Sequence, residues 1–227
     1  MAYLYIRFRI VQLFLPRDEI NIKNLMNLQQ SITKIFNLQI IIKNKDNIDP
    51  KCKVIVANHA STLDTLIIAQ IMYESNICPI DQIYIVASTI LTKSSISRNI
   101  IKGINFIFVK RGRSKDIYKQ MKSVVDAGNT IIICPQGFVS NNNTITEFRE
   151  SAFKLEKPVL PIAIKYPNNI KSCDIRDMLC MDGGPIEVTI LKPIYEPSKE
   201  TARDIVKQMS EIHEFHFSRV TGRDITD

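Results

Sequence analysis

A histidine and an aspartate stand five residues apart in the run Asn58-His59-Ala60-Ser61-Thr62-Leu63-Asp64. An imidazole is close to neutral at physiological pH and can accept a proton. A carboxylate five residues on, in the first turn of a following helix, can fold back onto one ring nitrogen. There it fixes the tautomer and supports the imidazolium, as in a Ser-His-Asp triad whose hydroxyl is brought by the substrate. A base of this kind contributes about 10²–10⁴ in rate. The same residues also suit a plain capping loop, with Ser61 or Thr62 as N-cap and Asp64 favouring the helix dipole.

Three further blocks follow in order. Residues 103–113 (GINFIFVKRGR) carry Lys110, Arg111 and Arg113 at the end of an apolar strand pattern. Guanidinium groups placed there match the oxygens of a phosphate, although a solvated basic turn reads the same way. Cys134-Pro135-Gln136-Gly137-Phe138 follows the apolar run TIII, and Phe148-Arg149-Glu150-Ser151-Ala152-Phe153 comes soon after. A Pro-x-Gly turn exposes backbone N–H groups that can hold an anion or an oxyanion, or it is an ordinary tight turn. The last block, 159–164 (VLPIAI), is an apolar strand pattern whose internal Pro161 marks an edge or a bulge.

These blocks need elements to position them. Periodicity predicts strands at 38–42, 53–57, 82–87, 106–110, 130–134, 159–165 and 186–191. It predicts helices at 20–36, 62–73, 94–102 and 114–127, a short one near 149–155, and a long terminal one at 200–220. Ser114 suits the N-cap of the fourth helix and Gly128 its end. Strands alternating with helices give an α/β fold, layered around a mostly parallel central sheet flanked by helices. In such sheets sites collect beyond the carboxyl ends of the strands, where every polar cluster above lies. No repeat or Gly/Ser linker divides the chain, so residues 1–227 are read as a single domain.

The formal net charge of +7 suits an anionic surface or substrate. With no charge run, no Trp and no aromatic platform interleaved with basic residues, nucleic acid is not expected as a partner. Five cysteines, an odd number without a C-x-x-C pair, speak against a disulfide framework or a zinc site, and Cys134 is placed on a buried strand. His213 and His216 lie three apart in the predicted terminal helix with no third ligand, so no metal is expected.

The first 16 residues are apolar but include Arg7 and Arg9. As a helix, about 14 of them reach roughly 21 Å, short of a hydrocarbon core of roughly 30 Å. They read as an interfacial anchor with Tyr3 and Tyr5 at the boundary, or as an element of the core; the mix of aromatic, apolar and cationic residues favours the anchor. No small-residue cleavage site follows, which speaks against a secretory signal.

Taken together, NHASTLD, GINFIFVKR, CPQGFVS and VLPIAI, with FRESAF after the third, resemble the ordered blocks of the glycerolipid acyltransferase family that contains the 1-acyl-sn-glycerol-3-phosphate acyltransferases. The resemblance spans 54–165, the motif core, with 1–36 as an N-terminal membrane-interfacial, helical segment. It implies transfer of a fatty acyl group from acyl-CoA or acyl carrier protein to the hydroxyl of a lysophospholipid or glycerophosphate, most readily 1-acyl-sn-glycerol-3-phosphate. His59 would be the base and Asp64 its support. Asn58, Ser61, Lys110, Arg111, Gln136 and Gly137 would bind substrate, with Lys110 and Arg111 on the phosphate. No cofactor is implied beyond the thioester co-substrate. Peripheral, monotopic attachment to the cytoplasmic face of a membrane follows from the bilayer-resident substrates. The third block departs from the family's F-P-E-G-T-R. Gln136 stands for glutamate, Phe138 for threonine and Val139 for arginine, so a carboxylate and a cation are lost. That keeps open a second reading, a catalytically reduced lipid-binding protein on the same fold. A thioester hydrolase would lack the usual G-x-S-x-G elbow.

Overall fold

The computed structural model describes residues 27, 30–31, 33–34, 37–61, 63–89, 105–109, 114–167, 183–198 and 200–219. Among these are the strands β1 (Leu38–Lys43), β2 (Val54–Ala57), β3 (Ile83–Ser88), β4 (Asn105–Val109), β5 (Thr130–Ile133), β6 (Thr144–Thr146), β7 (Val159–Lys165), β8 (Gly184–Ile190) and β9 (His216–Ser218). The α-helices are α1 (Asp64–Glu74), α2 (Ser114–Asp126) and α3 (Thr201–His213), with a six-residue 3-10 helix at Glu150–Leu155. The predicted helices at 20–36 and 94–102 fall wholly or largely outside the described residues. None of the described helices is long and apolar enough to cross a membrane.

Seven strands form one sheet in the order β1-β8-β7-β2-β5-β3-β4, and only the β7–β8 pair is antiparallel. The five strands from β7 to β4 therefore run the same way and end on one edge. Their sequences read as unbroken apolar runs because both faces are covered. Ile55, Ala57, Ile132, Leu160, Ile162 and Ile164 face the side packed by α1. Val54, Val56, Ile131, Ile133, Val159 and Ala163 face the side that includes residues of α2 and α3. Helix α1 is apolar nearly all round, and its Ile67, Ile68, Ile71 and Met72 are almost wholly buried. Each such side chain contributes about 1.5–3 kcal/mol of burial, which fixes the helix that carries Asp64 firmly against the sheet.

Pro161 sits inside the sheet at a bulge. Val159 bridges Ile194, and the regular β7–β8 pairing starts at Ile162 with Ile190. Leu160 and Pro161 thus face Leu191, Lys192 and Pro193, one residue more on the opposite side. Like the Val159 N–H, the Pro161 nitrogen points to this irregular side, where no ladder donor is needed.

Two expectations need correction. The terminal helix ends at His213 rather than near residue 220. Glu214 takes a left-handed conformation (φ 55), Phe215 turns into the core, and His216–Ser218 pairs in parallel with Thr144–Thr146. His213 and His216 therefore lie on different elements. Cys134, expected on a buried strand, is the first residue beyond β5 and is only half-buried.

Candidate active site

Leu63 occupies the N-cap position of helix α1, and among the described residues no side chain caps it. The Ser61 hydroxyl accepts the Leu63 N–H instead, at 3.2 Å. Thr62 lies outside the described residues. Asp64 opens the helix, where a carboxylate also meets the positive end of the dipole. Its Oδ2 accepts the backbone N–H groups of Ala60 and Ser61, each at 2.8 Å. Its Oδ1 accepts the Tyr166 hydroxyl at 2.7 Å.

The His59 ring closes the arrangement. Nδ1 lies 3.0 Å from Asp64 Oδ2. The aspartate side chain is 0% exposed and that of histidine 21%, so one partner is sealed in the scaffold while the other reaches solvent. Asp64 thus orders the loop and orients the ring at once, leaving Nε2 as the outer nitrogen. Burial works against a charged ring, but the Cys134 sulfur beside it and the Asp64 carboxylate favour one, and the His59 pKa is raised from 6.5 to about 10. A buried charge is tolerated where partners satisfy it, and this carboxylate has a full set.

The loop after β5 holds the histidine from the other side. His59 N–H donates to Gln136 Oε1 at 2.7 Å, and Gln136 Nε2 donates to Thr146 Oγ1 at 3.1 Å. Gln136 is 1% exposed. The sequence suggested that its amide meets a substrate; both of its ends are instead engaged inside the protein, and it positions His59. The His59 carbonyl accepts from the Ser140 N–H at 2.8 Å and the Ser140 hydroxyl at 3.0 Å.

Asn58 also faces inward. Its amide donates to the Ile164 carbonyl and accepts the Ile164 N–H, both at 2.8 Å, which clamps the loop after β2 to β7. Asn142 makes the same paired contact with the Tyr166 backbone, at 2.6 and 2.7 Å. Asn58 and Ser61, both expected to meet substrate, are almost wholly buried. Gly137 adopts φ 77, and a β-carbon there would stand 2.8 Å from Cζ of Arg149. A guanidinium thus lies against the turn whose own block lacks the usual arginine. Lys110 and Arg111 lie outside the described residues.

Sequence reasoning missed Tyr166, Ser140, Asn142 and Thr146. Nothing in their local pattern marks them, because their partners lie across the sheet edge.

The chain has relatives among known proteins. Residues 39–165, more than half of the chain, fit the acyltransferase family model. The chain belongs to the acyltransferase family. It is 25% identical over 153 residues to the "Probable 1-acyl-sn-glycerol-3-phosphate acyltransferase" of Mycoplasma pneumoniae, covering 64% of this chain and 56% of that protein. It is 27% identical over 169 residues to the lysophospholipid acyltransferase LPEAT1 of Arabidopsis thaliana, covering 66% and 40%. The glycerol-3-phosphate acyltransferase 3 of Danio rerio is 26% identical over 130 residues, covering 54% and 27%. The chain therefore spans about half the length, or less, of these curated relatives. Its fold is that of the crystal structure of the 1-acyl-sn-glycerophosphate (LPA) acyltransferase PlsC from Thermotoga maritima, with a TM-score of 0.61, 19% identity and 96% of each chain covered. The acyltransferase span takes in Asn58, His59, Asp64, Lys110, Arg111, Gln136 and Gly137.

Proposed function

We propose that this chain transfers a fatty acyl group from a thioester donor, acyl-CoA or acyl carrier protein, to the hydroxyl of a lysophospholipid or glycerophosphate, with 1-acyl-sn-glycerol-3-phosphate the first acceptor to test. The observation that carries the reading is the partly exposed His59 ring held 3.0 Å from the sealed Asp64 carboxylate. In its neutral form His59 Nε2 takes the acceptor hydroxyl proton as the oxygen attacks the thioester carbonyl, and Asp64 stabilises the imidazolium that forms; because the His59 pKa is raised, turnover increases with pH as the neutral fraction grows. The donor thiolate leaves and recovers the proton. Lys110 and Arg111 grip the acceptor phosphate, and the net charge of +7 suits that substrate and an anionic leaflet. Residues 1–36 hold the protein to the cytosolic face of the bilayer as a peripheral, monotopic attachment.

The test is acyl-CoA consumption by the full chain with and without added lysolipid, across a panel of headgroups, read by product mass. Turnover that needs the lysolipid supports the transferase. Lysolipid-independent release of free fatty acid points to a hydrolase. Binding without any turnover points to a lipid-binding protein, the reading that the loss of charge at Gln136 and Val139 would favour.

A further inference from the structure

The loop after β5 is fastened to His59 at both ends. Gln136 Oε1 accepts the His59 N–H, and the Ser140 N–H and hydroxyl both donate to the His59 carbonyl. Gly137, Phe138 and Val139 arch past the histidine between these two fixed points. Gly137 and Val139 are exposed there, and Phe138 is partly so. Where the family's block carries an arginine, the arch presents Val139, so it brings no cation of its own to a phosphorylated acceptor.

A cation reaches the arch from another segment. The Arg149 backbone N–H donates to the Pro135 carbonyl at 3.1 Å, which docks its root on the same turn. Buried Phe148 on one side and buried Ala152 and Phe153 on the other hold that root in place, while Arg149 itself is exposed. Its guanidinium rests its face on Gly137: Cζ, Nη2 and Nε stand 2.8, 2.9 and 3.2 Å from the position a β-carbon would take. The missing side chain is what lets the group come so close. A guanidinium carries its five N–H donors in one plane, a fork that matches phosphate oxygens. Strand order points the same way. β5, which leads to this arch, is the neighbour of β2, which leads to His59. β4, after which Lys110 and Arg111 come in sequence, lies three strands from β2, about 14 Å across the sheet. The hydroxyl and the phosphate of a glycerophosphate are only a few bonds apart, so a cation on the neighbouring strand's loop suits it best.

We propose that Arg149 supplies the cation the arch lacks at Val139 and binds the phosphate of the acceptor; the proposal rests on the glycerophosphate reading above. Arg149 is a binding group and takes no part in proton transfer, which stays with His59. Lys110 and Arg111 then close on the phosphate from the side of β4.

The full chain is assayed with acyl-CoA and 1-acyl-sn-glycerol 3-phosphate, each varied in turn. Arg149→Gln is expected to raise KM for the acceptor about ten- to a hundredfold, with KM for acyl-CoA within about twofold and the melting temperature near that of the parent. Adding Val139→Arg to Arg149→Gln returns a cation to the arch and lowers the acceptor KM again by about tenfold, a rescue that a merely structural role of Arg149 would not give. An acceptor KM within about twofold of the parent in Arg149→Gln overturns the proposal and leaves the transferase reading intact. An equal rise in both KM values, or a rise for acyl-CoA alone, overturns it too, because the guanidinium then serves the fold or the donor's phosphates. If Arg149→Gln melts early, Gly137→Ala tests the same contact from the other side: its methyl displaces the guanidinium, and an unchanged acceptor KM overturns the proposal. A parent chain that turns over no acceptor sinks the transferase reading by itself. Equilibrium binding of 1-acyl-sn-glycerol 3-phosphate to parent and Arg149→Gln then decides: about tenfold weaker binding by the variant supports the phosphate contact, and equal affinities overturn it.

Discussion

Tyr166 donates its hydroxyl to Asp64 Oδ1 at 2.7 Å across 102 positions of sequence, and both side chains are almost wholly buried. Asp64 Oδ2 serves the ring of His59 and two backbone amides, so among the described residues Oδ1 depends on this one phenol. Tyr166→Phe keeps the packing and strips the donor. A hydrogen bond to a charged group is worth about 1.5–3 kcal/mol, so kcat is expected to fall about tenfold with KM for the acyl donor little changed. Steady-state kinetics on the two substrates, with a melt alongside, check this. An unchanged kcat would detach Tyr166 from the site.

His59→Ala is expected to abolish acyl transfer in a protein that still folds, since the ring reaches solvent and its own backbone supplies the contacts to Gln136 and Ser140. Asp64→Asn should cost at least about a thousandfold and also lower the melting temperature. The amide presents hydrogens toward N–H groups of Ala60 and Ser61 that now have an acceptor. Product mass after a long incubation and circular dichroism of each variant separate the chemical loss from the structural one.

Asn58→Ala is expected to destabilise the fold by about 2–4 kcal/mol, because it strands both the N–H and the C=O of Ile164 in the core. Its activity loss should follow the unfolded fraction and vanish at lower temperature. A urea midpoint shifted by less than about 0.5 kcal/mol would mean that the Ile164 groups find other partners.

His213 titrates in the opposite sense to His59. Burial lowers its pKa below the ordinary 6.5; Glu187 on β8 pulls it up, while Lys165 on β7 and Lys43 on β1 push it further down. The folded ring stays neutral at pH values where the unfolded one takes a proton. Acid therefore favours the unfolded chain, and stability falls as the pH drops below 6.5. His213→Leu should flatten that acid limb. Urea midpoints of parent and variant at about pH 7 and about pH 5 test it; equal acid sensitivity would assign the limb to carboxylates instead.

The local motifs were legible in the sequence because each is a strand followed at once by its polar loop. NHASTLD contains both His59 and Asp64, so no distant pairing is needed to bring them together. The α/β sheet was legible for a related reason, since strands buried on both faces read as unbroken runs such as TIII and VLPIAI. The partners of Gln136 were not legible because sequence shows an amide at a motif position but not the His59 N–H and Thr146 hydroxyl that it meets. The end of α3 was misread because a polar-apolar rhythm continues past His213, while the stop comes from a left-handed Glu214 and a pairing with Thr144–Thr146 far back in the chain. Tyr166 shares this blind spot: its role exists only once β7 lies beside β2.

The two asparagine clamps have a consequence for the order of assembly. Asn58 grips Ile164, Asn142 grips Tyr166, and Tyr166 reaches Asp64, so the end of β7 is the common fixture for both loops of the site. A ribosome releases His59 and Asp64 long before it releases that strand. Until β7 enters the sheet between β2 and β8, the Asp64 carboxylate lacks its phenol and the His59 loop lacks its clamp. The nascent chain thus carries the His59–Asp64 pair without its scaffold, and the candidate site is complete only with the long-range closure of the sheet.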